Sequence, residues 1–202
     1  NDKYVDLQNL LLITGVGNVK AKKWLSLGIN NINDVKKAIN DKLTSYFKNV
    51  ENVDDKIRAL MDDMLETMYA APGIGLAAPQ IGVMSRLFVM DCVKEEGATP
   101  CPMVLLNPET VWSSEDTSTY EEGCLSIPEQ YGDVERPKTV EMRWLGLDGE
   151  FHQERFQGLW ATCAQHELDH LNGKLFIDYL KPLRRQLITR KMQKLKREKA
   201  RS

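Results

Sequence analysis

Long apolar runs are missing from the 202 residues, and no stretch approaches the length of a membrane span. Nor does the N-terminus read as a signal peptide, so a cytoplasmic protein with no membrane partner is expected. Cysteine is scarce, with Cys92, Cys101, Cys124 and Cys163 in no C-x-x-C spacing. Without a secretion signal a reduced cytosolic state is the default, which makes a lone cysteine in a distinctive setting a candidate ligand or nucleophile. The glycine pair in Gly73-Ile74-Gly75 has no Lys-Ser/Thr after it, which removes a phosphate-loop nucleotide reading. Arginine is absent from the first 49 residues, which also hold eight of the eleven asparagines and carry eight lysines against four aspartates. So sharp a shift divides the chain into residues 1–49 and 50–202, two pieces of different origin.

Histidine is rare too, with three residues in all, yet two of them fall in one short stretch, Gln165-His166-Glu167-Leu168-Asp169-His170. On a helix His166 and His170 share a face, so two imidazoles can hold one divalent metal. Glu167 sits beside the first ligand, where it can reach a water without binding the metal. The neighbours Leu159, Trp160, Ala161, Ala164, Leu168 and Leu171 predict a helix buried on most sides. A catalytic site of this type needs a third protein ligand and an open position. An isolated Cys124 would read as an ordinary buried thiol. With H-E-x-x-H downstream, it completes a Cys-His-His set. The third histidine, His152, falls on a predicted strand and is expected to be exposed and not a ligand.

Along the chain, residues 1–49 read as short helices. Leu7, Leu10 and Leu11 recur at helical spacing, Thr14–Gly17 breaks the pattern, and a second helix spans about 18–27 before Gly28. Residues 53–69 form an amphipathic helix whose apolar face includes Ile57, Leu60, Met61, Met64, Leu65 and Met68. Strands are predicted over 86–90, 103–106, 139–144 and 150–156, with a polar loop ahead of Glu121. From Leu183 onward the chain is a basic amphipathic helix, a face that is either solvated or meets an acidic partner such as RNA.

Two resemblances attach to these residues. Leu12-Ile13-Thr14-Gly15-Val16-Gly17, followed by Lys20–Trp24 and Leu27-Gly28-Ile29, resembles a helix-hairpin-helix of family X DNA polymerases, which implies DNA contact through residues 1–49. The same stretch also reads as plain helical packing. The second resemblance is broader. Gly73–Gln80, Glu122-Gly123-Cys124-Leu125-Ser126 and Gln165–His170 are similar, in order, to the three signature motifs of peptide deformylase, and the likeness runs from about Val50 to the C-terminus. It implies an α+β fold with small antiparallel sheets around a metal-bearing helix, here preceded by a short all-helical segment. It implies removal of the formyl group from the N-terminal formyl-methionine of nascent polypeptides, in bacteria or organelles. The implied cofactor is one divalent metal, Fe2+ above all, with Zn2+, Ni2+ or Co2+ as substitutes.

The residue roles follow from that likeness and from chemistry. Cys124, His166 and His170 hold the metal. Glu167 carries the proton from water to the leaving amine. Gln80 and the backbone N–H of Leu125 donate to the developing oxyanion. Gly75 bonds the substrate backbone. Ile74, Leu159 and Thr162 match positions around the methionine pocket, Tyr120 stands in for a residue that is often aliphatic, and Tyr131 stands where the family often has arginine. Glu122 and Arg136 are implied to pair and support the cysteine loop, and the basic C-terminal helix to dock on the ribosome. The family's usual N-terminal edge segment is absent, and residues 1–49 stand in its place through a fusion, an engineered join or an error. Two other readings compete with this one. A different H-E-x-x-H metalloprotease would carry a further ligand after His170, where Asp178 is the nearest acid. A DNA-binding module with a degenerate enzyme attached would bind no metal.

Overall fold

The computed structural model describes residues 47–95 and 97–199. The expected helical segment and hairpin of residues 1–46 lie outside the described residues.

Helix α1 spans Asp55–Ala70. Asp54 caps it, its carboxylate accepting the Ile57 N–H at 2.9 Å, and Asp55 adds negative charge at the positive end of the helix dipole. Met61, Met64 and Met68 recur at helical spacing and are fully buried.

Seven strands follow: β1 Gly75–Ala77, β2 Leu87–Met90, β3 Met103–Ser113, β4 Thr117–Cys124, β5 Ile127–Pro137, β6 Thr139–Leu145 and β7 Phe151–Gln157. Two further helices close the order, α2 at Gly158–Leu171 and α3 at Pro182–Lys199, with a 3-10 turn at Phe176–Tyr179 between them. Strands β1-β2-β3-β6-β7 make one antiparallel sheet in that spatial order, and β4 and β5 pair separately. The result is the expected α+β class with small antiparallel sheets around the helix that carries H-E-x-x-H.

The alternation of side chains in β2 sorts the core into two layers. Phe88 and Met90 pack with Met142, Trp144, Phe156 and Ala164 on the α2 side. Leu87 and Val89 pack with Met61, Met64 and Met68 of α1 on the other. A third cluster joins Ile127 and Val134 of the β4–β5 hairpin to Phe176, Ile177 and Ile188. Helix α2 is thus walled in, with Ala161, Cys163, Ala164, His166, His170 and Leu171 all buried.

Three polar clamps fix this frame. The Arg86 guanidinium donates to the Leu171 carbonyl at 2.9 Å and to Asn172 Oδ1 at 3.2 Å, closing the carbonyl end of α2. Asn107, with φ 50, holds both backbone groups of Val50 through its side-chain amide, at 2.7 and 2.8 Å. Lys48 bridges Ser85 through backbone bonds, so the chain is already seated on the sheet there.

Two sequence expectations need correction. Strand β3 does not stop at Leu106 but runs on to Ser113. The register with β6 shifts between Leu106 and Glu109, and that bulge accommodates Pro108, which cannot donate to a ladder. The stretch ahead of Glu121 is not a polar loop but the first half of β4. Among the described residues no helix is long and apolar enough to cross a membrane.

Candidate active site

Cys124 ends β4, and His166 and His170 stand one turn apart on α2. One ligand atom from each of the three lies within 4.8 Å of the others. Cys124 Sγ is 3.3 Å from His170 Nε2, close to the roughly 3.5 Å between sulfur and nitrogen ligands of a tetrahedral zinc-like ion. The imidazoles meet edge to face with centroids 5.0 Å apart. The donor set therefore fits a divalent metal, and three protein ligands leave a coordination position open. His152 is not part of it: the ring is exposed and bonded to Asp148, as expected.

A buried polar network sets the orientation of these ligands. Arg136 grips Glu122 with two parallel bonds, Nε–Oε1 at 2.5 Å and Nη2–Oε2 at 3.0 Å. Its third nitrogen bonds Asp169 Oδ2 at 2.8 Å. Glu122 Oε2 also lies 2.9 Å from His166 Nδ1, leaving Nε2 for a metal. Tyr179 donates to Asp169 Oδ1 at 3.0 Å, and its ring lies 4.7 Å beneath the guanidinium. Arg136, Glu122 and Asp169 are all buried, so each charge is matched rather than solvated. The sequence reading anticipated the Glu122–Arg136 pair. It missed Asp169 and Tyr179, whose only local signal is that Asp169 falls on the histidine face of α2.

Electrostatics separates Glu167, His166 and His170 of α2. Burial pushes the Glu167 carboxyl up to about 7, with the charge of His166 opposing and that of Glu122 adding to the rise. Its Oε2 has no hydrogen-bond partner among the described residues. His170 is held down at about 3 by burial and by the charge of His166. Burial also opposes protonation of His166, but bonds to Cys124 and Glu122 and the charge of Glu167 outweigh it and hold the ring at about 10. The position between the thiol and the carboxylates thus attracts positive charge, which a proton or a metal ion can supply.

These groups open into a cleft of about 530 Å³. Gly75, Gln80, Cys124, Leu125, His166 and Glu167 line it, and so do Ile74, Tyr120, Leu159 and Thr162. Every expected site residue except His170 is on this wall, and His170 joins through the ligand trio. Gln80 is fixed at both ends of its amide. Its Oε1 accepts the Ala77 N–H at 2.7 Å, so its Nε2 points at Ser126 Oγ (3.1 Å) and Cys124 Sγ (3.6 Å). Gly75 allows the closest approach: a Cβ there would run into the Glu167 carboxylate and the Cys163 sulfur. Strands β1 and β4 are both edge strands, so each offers backbone groups not used in its own sheet.

The comparisons with known proteins point to one family. The chain matches the polypeptide deformylase family over residues 32–186. It is 58% identical over 145 residues to a peptide deformylase of Phenylobacterium zucineum, covering 72% of this chain and 85% of that one. The crystal structure of a peptide deformylase from Legionella pneumophila superposes with a TM-score of 0.69 at 44% identity, covering 80% of this chain and 94% of that one. A Synechococcus elongatus peptide deformylase in complex with actinonin gives 0.68 at 42% identity, with 75% and 82% covered. The chain belongs to the peptide deformylase family, metal-dependent hydrolases that remove the formyl group from the N-terminal formyl-methionine of nascent polypeptides.

Proposed function

We propose that the hydrolysis is carried out by Glu167 and Gln80 beside a metal held by Cys124, His166 and His170. The observation that carries this reading is the buried Glu167 carboxylate with an unpartnered oxygen, next to the ligand trio on the cleft wall. When bound, the divalent ion supplies Lewis acidity toward the formyl group and the attacking water. Glu167 takes the proton from that water and passes it to the departing amine, and its raised pKa suits both halves of the transfer. Gln80 Nε2 and the Leu125 N–H donate to the oxygen on which charge develops. Gly75 bonds the peptide backbone along the free edge of β1. Ile74, Leu159, Thr162 and Tyr120 take the methionine side chain. A thiolate in the ligand set favours Fe2+, with Zn2+, Ni2+ or Co2+ able to replace it.

The metal-loaded protein should release formate from formyl-Met-Ala-Ser and leave the Met-Ala bond intact. Cleavage of that peptide bond without formate would favour the metalloprotease reading.

A cytoplasmic enzyme acting on emerging chains also fits α3. Between Arg184 and Arg201 nine basic residues face one acid, Glu198. Ile188 anchors the helix in the third core cluster while Leu183 and Leu187 stay exposed. This surface is read as a ribosome-docking face. Removing residues 191–202 should weaken ribosome binding and spare hydrolysis of a free peptide. Equal ribosome affinity with and without those residues would sink the idea. Residues 1–49 are read as a separate segment. DNA contact through them predicts salt-sensitive binding of a short duplex, lost when they are removed, and the same duplex affinity without them would exclude it.

A further inference from the structure

Behind the cleft wall sits a buried acid that formyl removal does not use. Asp91 follows the last residue of β2 and is 5% exposed. Among the described residues it has no ion-pair partner. Its carboxyl oxygens instead collect three neutral donors. Oδ2 accepts the Tyr69 hydroxyl at 2.6 Å and the Cys101 N–H at 3.0 Å, and Oδ1 accepts the Val93 N–H at 3.0 Å. Burying a carboxyl group with no cation beside it is costly, and an apolar side chain would fill the same space with less penalty. What Asp91 adds is geometry.

Its neighbours show what is held. Tyr69 is in the last turn of α1, and Ala71-Pro72-Gly73 alone separate that helix from Ile74. The Gly73 N–H returns to the Met68 carbonyl at 2.9 Å. From the other side the Asp91 N–H donates to the Ile74 carbonyl at 2.9 Å, one step beyond the Gly75–Met90 pairing of β1 with β2. The Cys163 thiol donates to the same carbonyl at 3.3 Å. The next residue after Asp91, Cys92, directs its thiol at the Leu159 carbonyl, 3.9 Å away. Ile74 and Leu159 both line the cleft. Asp91 thus ties together the end of α1, the stretch after β2 and the start of α2 where two apolar residues of the cleft are set.

We propose that Asp91, braced by Tyr69, is a positioning residue that sets the width of the methionine pocket by fixing the backbone at Ile74 and Leu159, a role that rests on the reading that these two residues take the methionine side chain. Neither Asp91 nor Tyr69 lines the cleft, so both act through the backbone they hold. When the carboxyl group is loosened, Ile74 and Leu159 draw apart. A long apolar side chain then loses contacts, while a methyl group, too short to reach the wall, loses none.

The test uses the metal-loaded full chain with formyl-Met-Ala-Ser and formyl-Ala-Ala-Ser, and reads kcat and KM from formate release. Asp91→Asn keeps the size of the side chain but turns one acceptor into a donor facing donors. Tyr69→Phe removes one hydroxyl from a residue that is itself exposed, so it tests the same brace without opening the core. KM for the formyl-Met peptide should rise about 3- to 10-fold in Asp91→Asn and about 2- to 3-fold in Tyr69→Phe, the size of one or two lost hydrogen bonds. Its kcat should stay within about 2-fold, as expected when binding alone is weakened. The formyl-Ala peptide should keep its constants, so the ratio of kcat/KM for Met over Ala falls. That ratio, taken within one preparation, does not depend on how much of it is folded. An unchanged ratio in both variants, even with both rates lowered, means that the brace serves the fold alone and overturns the proposal. Ile74→Ala separates this outcome from a wrong reading of the pocket. The same ratio should fall there, and if it does not, the pocket reading fails and the proposal with it. A ratio lowered in Ile74→Ala but kept in Asp91→Asn and Tyr69→Phe overturns the proposal alone.

Discussion

Arginine–carboxylate pairs occur in two very different places in this molecule. On the outer face of the large sheet Arg143 meets Glu109 at 2.5 Å and Arg155 meets Glu141 at 2.7 Å. Both pairs are open to solvent, and their guanidinium groups lie over exposed aromatic rings, Arg143 over Phe151 and Arg155 over Trp112. Behind the site Arg136 meets Glu122 and Asp169 at similar distances, with side chains 5% and 4% exposed at the Arg136–Glu122 contact. The contacts are alike in length and differ in consequence. A solvated pair trades water for a partner at little net gain. A buried one leaves an uncompensated charge if either member goes, so its geometry is enforced. The enforced group here is Glu122, which holds the His166 ring, so the buried network orients a side chain of the candidate metal site more than it adds stability.

Removing one member of each pair tests that contrast most strongly. Arg136→Met should lower unfolding free energy by about 3–5 kcal/mol, since Glu122 and Asp169 lose their shared cation in the interior. Urea unfolding would measure it. A loss no larger than that of a surface substitution would erase the distinction between the two regions.

The buried side of the comparison can be sharpened by a change that spares the network. Gln80→Leu removes an amide aimed at the Cys124 sulfur but touches neither Arg136 nor Glu122. It should cut kcat/KM for a formyl-methionyl peptide by roughly 10²–10³, the size of one lost oxyanion donor. Metal content and thermal midpoint should stay as in the parent. An unchanged rate would take Gln80 out of the chemistry.

The smallest effect belongs to the open face of the sheet. Arg143→Met should keep Tm within about 2 °C of the parent and leave the rate alone, because its partner Glu109 remains in water. A larger drop would mean that the cover over Phe151 matters more than the charge pair.

What could be read ahead of the structure follows the same divide between local and distant contacts. H-E-x-x-H declares itself because both candidate ligands and the proposed proton carrier lie within five residues on one helix. Cys124, Gln80 and Gly75 were reachable because each sits in a short motif of its own. Asp169 and Tyr179 were not, since their role exists only once Arg136, 33 residues before Asp169, arrives from β5. The first half of β4 was missed because its exposed residues Thr117, Thr119 and Glu121 carry no apolar alternation. The continuation of β3 was hidden by Asn107-Pro108, which reads as a stop unless a bulge is foreseen. The helix α1 and the burial of α2 came through because their apolar spacing is long and regular.

The central claim is that Cys124, His166 and His170 hold the metal while Glu167, in the same wall, does not. Metal content per chain, measured by elemental analysis on Glu167→Ala and Cys124→Ala purified alongside the parent, tests it most directly. The account predicts about one metal ion in Glu167→Ala, with formate release nearly abolished, and a large loss of metal from Cys124→Ala. A Glu167→Ala protein stripped of metal beside a Cys124→Ala protein that keeps it would contradict the assignment.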